Sequence, residues 1–231
     1  NSKNMLIALE KNELKIKFLK KKLKKNSFIN TIGQILFRVF FSLLSLSNRN
    51  YLNFLAKKYN LDDNRNYGLI NRNFRSINSN ECIDWLKKEN PDFVVINGTS
   101  IIKKDVLESC SAYFINTHCG ITPKYRGVHG AYWALVNRDL ANVGVTIHVV
   151  DSGVDTGSII YQASIDVEKK DTIVSYPLKQ YKEGIILLKK IINDINKNEF
   201  KIYKSSYENS RIWEHPTLMG YLKNWIISGI R

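Results

Sequence analysis

The chain has 231 residues, enough for one large domain with a buried core, and its 44% hydrophobic content excludes a disordered segment. A net charge of +14 would attract polyanions such as nucleic acid, anionic lipid or phosphorylated small molecules, although a bias toward Lys, Asn and Ile can also reflect genome composition. Three dispersed cysteines, Cys82, Cys110 and Cys119, make no CxxC pair; they argue against a zinc cage or disulfide framework and fit a reducing, cytoplasmic compartment.

The first predicted element is a short buried strand at 6–10 (LIALE), followed by helical stretches at 13–25, 28–46 and near 50–58. The basic cluster KKKLKK and the apolar run after it have the outline of a signal anchor. Asn30, Gln34 and Arg38 interrupt the run, and an Arg at mid-bilayer costs about 2.5–3.5 kcal/mol. Phe37, Phe40, Phe41 and Leu44 recur at helical spacing, so a packed amphipathic helix is favoured over one lying on a membrane surface, and both over a span.

Farther along, YGLI (67–70) reads as a strand, and NSNECIDWLKKEN (78–90) as a capped amphipathic helix. DFVVIN (92–97) is an apolar run of the kind buried on both faces of a parallel sheet. IIKKDVLES is read as a short helix and AYFIN (112–116) as the next strand, which makes a βαβ unit. HGAYWALVNR reads as a helix whose Tyr132 and Trp133 belong to the core. VGVTIHVVD and GSIIYQASIDV are strands whose link, SGVDTG, is too short for a crossover, so they form an antiparallel edge hairpin. Asp171-Thr172 can cap a long helix reaching about Asn196, interrupted early by Pro177. The tail holds a strand candidate, FKIYKS, and an aromatic helix with Pro216 in its first turn. The expected architecture is α/β: a Rossmann-like, mostly parallel twisted sheet with flanking helices over residues 1–196, and a C-terminal appendage over 197–231.

The densest chemistry lies in INTHCGITPKYRGVHGAYWAL (115–135), where an apolar strand ends. Ligands of open α/β sheets gather beyond the carboxyl ends of strands. Asn116 and His118, two apart on extended chain, present an amide donor and an imidazole on one side. Asp155 sits in the other glycine-bearing turn, and only the fold can bring it near. Each residue also has an ordinary reading: Asn116 can close a turn, His118 can be a satisfied polar group, and Cys119 can be a buried inert thiol rather than a nucleophile. His118, Cys119 and His129 lack any familiar metal-ligand spacing. Lys124 and Arg126 are either solvated charges or phosphate partners, and His215, beside Pro216, reads as a surface residue.

Taken together, INTHCGITPKYRG and GVTIHVVDSGVDTGSIIYQ resemble the formyltransferases that use N10-formyltetrahydrofolate, closely over about 91–167. The family carries Asn-x-His at a strand end, a Pro and basic-Gly loop, a Gly-x-Thr-x-His strand and an Asp-Ala/Thr-Gly turn. The resemblance implies Asn116, His118 and Asp155 as catalytic residues acting on a tetrahedral oxyanion, with no metal. It implies a formyl-folate site at Ser100, Ile101, Ile102 and Lys103 together with Val150, Asp151, Ser152, Gly153 and Val154. It also implies substrate contacts from Lys124, Tyr125, Arg126 and Gly127. Family domains open with a strand, glycine-containing loop and helix that are absent before LIALE here, and the helical stretch 11–60 is unlike the compact purine-pathway members. The region after 200 is too short for the β-barrel of initiator-tRNA formyltransferases, so the expected acceptor is a small-molecule amine, a nucleotide-linked amino sugar for glycan synthesis, and not nucleic acid. Glycinamide ribonucleotide is the alternative amine; a non-catalytic folate- or nucleotide-binding module is the alternative class. Peripheral membrane contact through 28–46 and a homodimer stay open as further associations.

Overall fold

The structure is a computed structural model that describes residues 6–11, 27–61, 70–204 and 208–231. The helix expected over 13–25 lies outside these residues. In chain order the elements are β1 (Ile7–Glu10), α1 (Phe28–Ser47), α2 (Arg49–Lys58), β2 (Ile70–Phe74), α3 (Asn80–Glu89), β3 (Phe93–Ile96), α4 (Lys104–Leu107) and β4 (Tyr113–His118). They continue with β5 (Arg126–Gly127), α5 (Gly130–Val136), β6 (Gly144–Val149), β7 (Ile159–Ser164), α6 (Tyr176–Asn196), β8 (Ile212–Trp213) and α7 (Leu218–Ser228).

The central sheet has the order β3-β4-β6-β7. β3 and β4 are parallel, while β6 runs antiparallel to both its neighbours, so three of the four strands point one way. The hairpin inferred from the short SGVDTG link is thus present, with β7 on the edge and β6 inside the sheet. The buried residues Gly144 through His148 of β6 lie under α6. Gly184 of α6 lets the helix approach, since a Cβ there would come within 2.8 Å of Thr117 Cγ2, and Gln180 Nε2 donates to the Gly144 carbonyl at 2.6 Å.

Several expectations are corrected in detail. β3 is an edge strand, and Val95 is 55% exposed, so DFVVIN is not covered on both faces. The strand expected at 67–70 instead covers Ile70–Phe74 and pairs with β1; residues 67–69 lie outside the described set. The helix expected over IIKKDVLES is one turn, Lys104–Leu107. Pro177 does not interrupt α6: as its second residue it starts the helix, where a missing N–H costs nothing. Asp171 does not cap α6; its carboxylate takes the Lys179 ammonium at 2.6 Å, the Tyr51 hydroxyl at 2.8 Å and the Ser175 hydroxyl at 2.9 Å. Pro216 lies before the cap of α7, Thr217, whose hydroxyl oxygen accepts from Gly220 N at 3.1 Å.

One core cluster joins α1, α5, α6 and α7 through Phe37, Tyr132, Tyr176 and Tyr221. Burying each such aromatic is worth about 1.5–3 kcal/mol. The tail is tied to the domain through Tyr221 in this core, through parallel pairing of β8 with β5 and through side-chain hydrogen bonds such as Asn224 Nδ2 to the Tyr132 hydroxyl. β1 and β2 pair with each other in a separate parallel sheet. Between β1 and β3 lies an apolar cavity of about 600 Å³, lined by Leu6–Glu10, Trp85, Leu86 and Phe93–Ile96. Asn116, His118 and Asp155 are not among its walls.

Candidate functional site

β4 carries Asn116 and His118 to its carboxyl end on the same face. Its register with β6 sets Asn116 opposite His148 and His118 opposite Thr146. The Asn116 Nδ2 donates to His148 Nε2 at 3.2 Å. His148 Nδ1 lies 2.8 Å from the Val149 carbonyl, which can only accept, so the proton sits on Nδ1 and Nε2 is the acceptor for Asn116. One amide N–H of Asn116 is used in this way.

Asp155 reaches the same place from the turn after β6. Its Oδ2 lies 3.4 Å from His118 Nδ1, and its Oδ1 lies 3.6 Å from His148 Nε2. Gly127 N donates to Asp155 Oδ2 at 2.9 Å, which joins the turn to the basic-Gly loop. Asp155 has φ +51°, a conformation that costs a non-glycine residue about 1–2 kcal/mol. The turn is held in that shape by Asp151, whose Oδ1 accepts from Gly153 N at 3.0 Å and from the Thr156 hydroxyl at 2.5 Å.

The loop between β4 and β5 is fixed by groups on the hairpin. Thr146 Oγ1 accepts from Thr122 N at 3.0 Å and donates to the Gly120 carbonyl at 2.8 Å, while Gln162 Nε2 donates to the Thr122 carbonyl at 2.7 Å. The loop then folds back so that the Tyr125 carbonyl meets His118 Nε2 at 2.8 Å. Position 120 must be glycine for this: a Cβ there would run into the Tyr125 carbonyl.

Electrostatics follow from burial. Burial pushes His118 below its ordinary pKa, and the partial offset from Asp155 and the Tyr125 carbonyl does not reverse the direction. Burial also opposes the charge on Asp155, yet His148 and His118, whenever either ring carries a second proton, and the Gly127 N–H outweigh it, so its pKa is lowered and it stays a carboxylate. Burial pushes the Cys119 thiol up to about 12, the state of an inert side chain rather than a nucleophile.

The other residues singled out from the sequence fall into three groups. Arg126 joins the site: its Nη1 donates to the Val154 carbonyl at 3.0 Å, and its Nε is buried with no hydrogen-bond partner. Lys124 and Tyr125 turn away from it. The Lys124 ammonium pairs with Asp139 Oδ2 at 2.5 Å, and the buried Tyr125 donates its hydroxyl to the same carboxylate at 2.9 Å. Ser100 N is bonded to Glu10 Oε2 at 2.7 Å, and Asn78 spans the Ile101 carbonyl and Lys103 N. Ile102 and Val150 pack in one hydrophobic cluster, so the two implied folate segments are neighbours, while Ile101 and Val154 are exposed. Ser152 is exposed on the same turn as Gly153.

His215 is not a lone surface residue. Its Nδ1 lies 2.9 Å from His129 Nε2 beside Phe37. Among the described residues no group of three or more His, Cys, Asp or Glu side chains is placed to hold a metal ion. Sequence reasoning assigned no role to His148, Thr146 and Gln162. The period of two along GVTIHV, which puts Thr146 and His148 on one face, was the available signal.

Residues 52–191 match the family model for formyl transferase, a span of more than half the chain. A methionyl-tRNA formyltransferase of Finegoldia magna is 34% identical over 136 residues, covering 58% of this chain and 43% of the relative. A GDP-perosamine N-formyltransferase of Brucella melitensis is 28% identical over 147 residues, covering 60% of this chain and 56% of the relative. Among solved structures, a sugar N-formyltransferase of a Shewanella species superposes with a TM-score of 0.50 at 24% identity, over 62% of this chain and 56% of that one, a likeness of fold. The chain spans about half the length, or less, of these curated relatives.

Proposed function

Because the chain belongs to the formyl transferase family, we propose that it transfers a formyl group from N10-formyltetrahydrofolate to the primary amine of a nucleotide-linked amino sugar. The observation that carries this reading is the convergence of Asn116, His118 and Asp155 at the end of β4. The residues present fit the donor: an exposed Ile101 and Val154 offer apolar contact to a flat heterocycle, and the buried, unpartnered Arg126 Nε can satisfy an acceptor there.

When bound, the folate supplies a formyl carbon open to attack by an amine. The second amide N–H of Asn116 donates to the oxygen that gains negative charge as the amine adds. The neutral ring of His118 takes the proton that the amine sheds, at Nδ1, and the Asp155 carboxylate stabilises the resulting imidazolium. That proton then leaves with the folate nitrogen, so His118 ends the cycle neutral. Asp155, bonded to Gly127 N and facing both imidazoles, also fixes the distance between the two halves of the site.

The sugar assignment is supported by the likeness to the GDP-perosamine enzyme and by a surplus of positive charge suited to a diphosphate. A second reading, an aminoacyl-tRNA as the amine carrier, is favoured by the 34% identity to a methionyl-tRNA formyltransferase. Incubation with formyl-labelled folate and a panel of nucleotide-linked amino sugars, glycinamide ribonucleotide and methionyl-tRNA decides between them. The reading given first requires label in an amino sugar; label only in methionyl-tRNA or glycinamide ribonucleotide replaces the acceptor, and label in none refutes the activity.

A further inference from the structure

α1 has one buried face and, well around the helix from it, one exposed apolar face. One face, with Thr31, Gln34 and Phe37, is buried, and Phe37 packs against Tyr221 of α7. The other carries Phe28, Ile32, Ile35, Val39, Leu43 and Leu46 at intervals of three or four residues, every one exposed, from 40% at Ile32 to 69% at Phe28. Single exposed hydrophobics are ordinary on a protein surface; an unbroken stripe along a helix about 30 Å long is not. α7, packed alongside, adds Met219 and Ile226, 76% and 82% exposed.

Charge identifies what covers this face. Seven lysines lie between residues 15 and 25, directly before α1, and Arg38, Arg49, Lys57 and Lys58 follow. From residue 14 to residue 58 there is no Asp or Glu. An apolar stripe that follows a purely basic stretch in the sequence complements a surface that is apolar below and anionic above. By length and composition α1 could also cross a bilayer. Its other face forbids that in this fold, since Phe37 is fully buried and Gln34 Nε2 donates to Glu214 Oε2 at 3.1 Å.

We propose that the outward face of α1 lies on an anionic lipid surface, to which the basic sequence around it adds electrostatic attraction. This holds whichever amine the site formylates. In a flotation assay, the full chain co-floats with vesicles of phosphatidylcholine and phosphatidylglycerol (about 70:30) at low salt. It floats at least about tenfold less with pure phosphatidylcholine, or with the mixed vesicles at high salt. Val39→Glu with Leu43→Glu abolishes flotation, while circular dichroism and melting stay as in the parent because neither side chain is in the core. Reversing Lys20, Lys21 and Lys22 to Glu weakens flotation by about a hundredfold or more, at about fivefold per lysine. Several results overturn the proposal. They are absence of flotation, flotation unchanged by the α1 pair, and a dimer in sedimentation that the α1 pair disperses without any vesicle binding, which would make the face a contact between two copies. Retention of the vesicle-bound protein after alkaline carbonate extraction would make α1 a span and overturn it as well.

Discussion

His118 Nδ1 lies 3.4 Å from Asp155 Oδ2, while the other ring nitrogen lies 2.8 Å from the Tyr125 carbonyl. A carbonyl only accepts, so Nε2 carries the proton, and the neutral ring turns a bare nitrogen toward a carboxylate. That is an uncomfortable resting state and a favourable acceptor of one proton. Burial keeps the ring neutral, and Asp155 steadies it once it is charged.

The pH dependence follows with its sign. His118 must be neutral to accept a proton, and its pKa is lowered, so the rate rises with pH along an acidic limb lying below pH 6.5. Asp155→Asn removes the influence that raises the pKa. The limb should move to lower pH, and kcat at neutral pH should fall by about 10²–10⁴-fold. A pH-rate profile of both proteins checks this; a limb that moves upward contradicts it.

Thr146 acts through the loop. Thr146→Val takes a buried acceptor from Thr122 N and a donor from the Gly120 carbonyl, for a loss of about 1–3 kcal/mol in a urea melt. Because that loop delivers the Tyr125 carbonyl to His118, kcat should fall more than KM rises. Thr146→Ser, which keeps the hydroxyl, should restore both.

The pair His129 and His215 predicts acid sensitivity. Burial, with His215 and Arg38 adding to it, lowers the His129 pKa to about 3. Its folded pKa lies below the unfolded value near 6.5, so the unfolded chain binds more protons between the two. Stability is therefore lost as pH falls through that window, by up to about 1.4 kcal/mol per pH unit from this group. His129→Phe should flatten the slope of unfolding free energy between pH 6 and pH 4. An unchanged slope would show that protonation of His129 does not matter.

Much of this was legible in residue order because strand period is strict. Asn116 and His118 two apart, and Gly-Val-Thr-Ile-His alternating, fix faces before any fold is known. What sequence could not show is meeting across distance. The antiparallel register that sets His148 against Asn116, and the turn that swings Asp155 beside His118, depend on β6 lying next to β4. Tyr125 and Lys124 sit in the right loop but turn to Asp139, a partner 14 residues on that no local pattern announces. DFVVIN looked doubly covered because composition records apolarity, not sheet position; as β3 it lies at an edge beside a cavity.

The most direct test is a single-turnover measurement of formyl transfer with Asn116→Ala and His118→Ala beside the parent chain, using the amine that the panel identifies. Loss of one oxyanion donor should slow the chemical step by about 100- to 1000-fold for Asn116→Ala, and His118→Ala should slow it by at least as much, with folate binding retained. Transfer by either variant at the parent rate would show that the strand-end cluster is not the seat of the reaction.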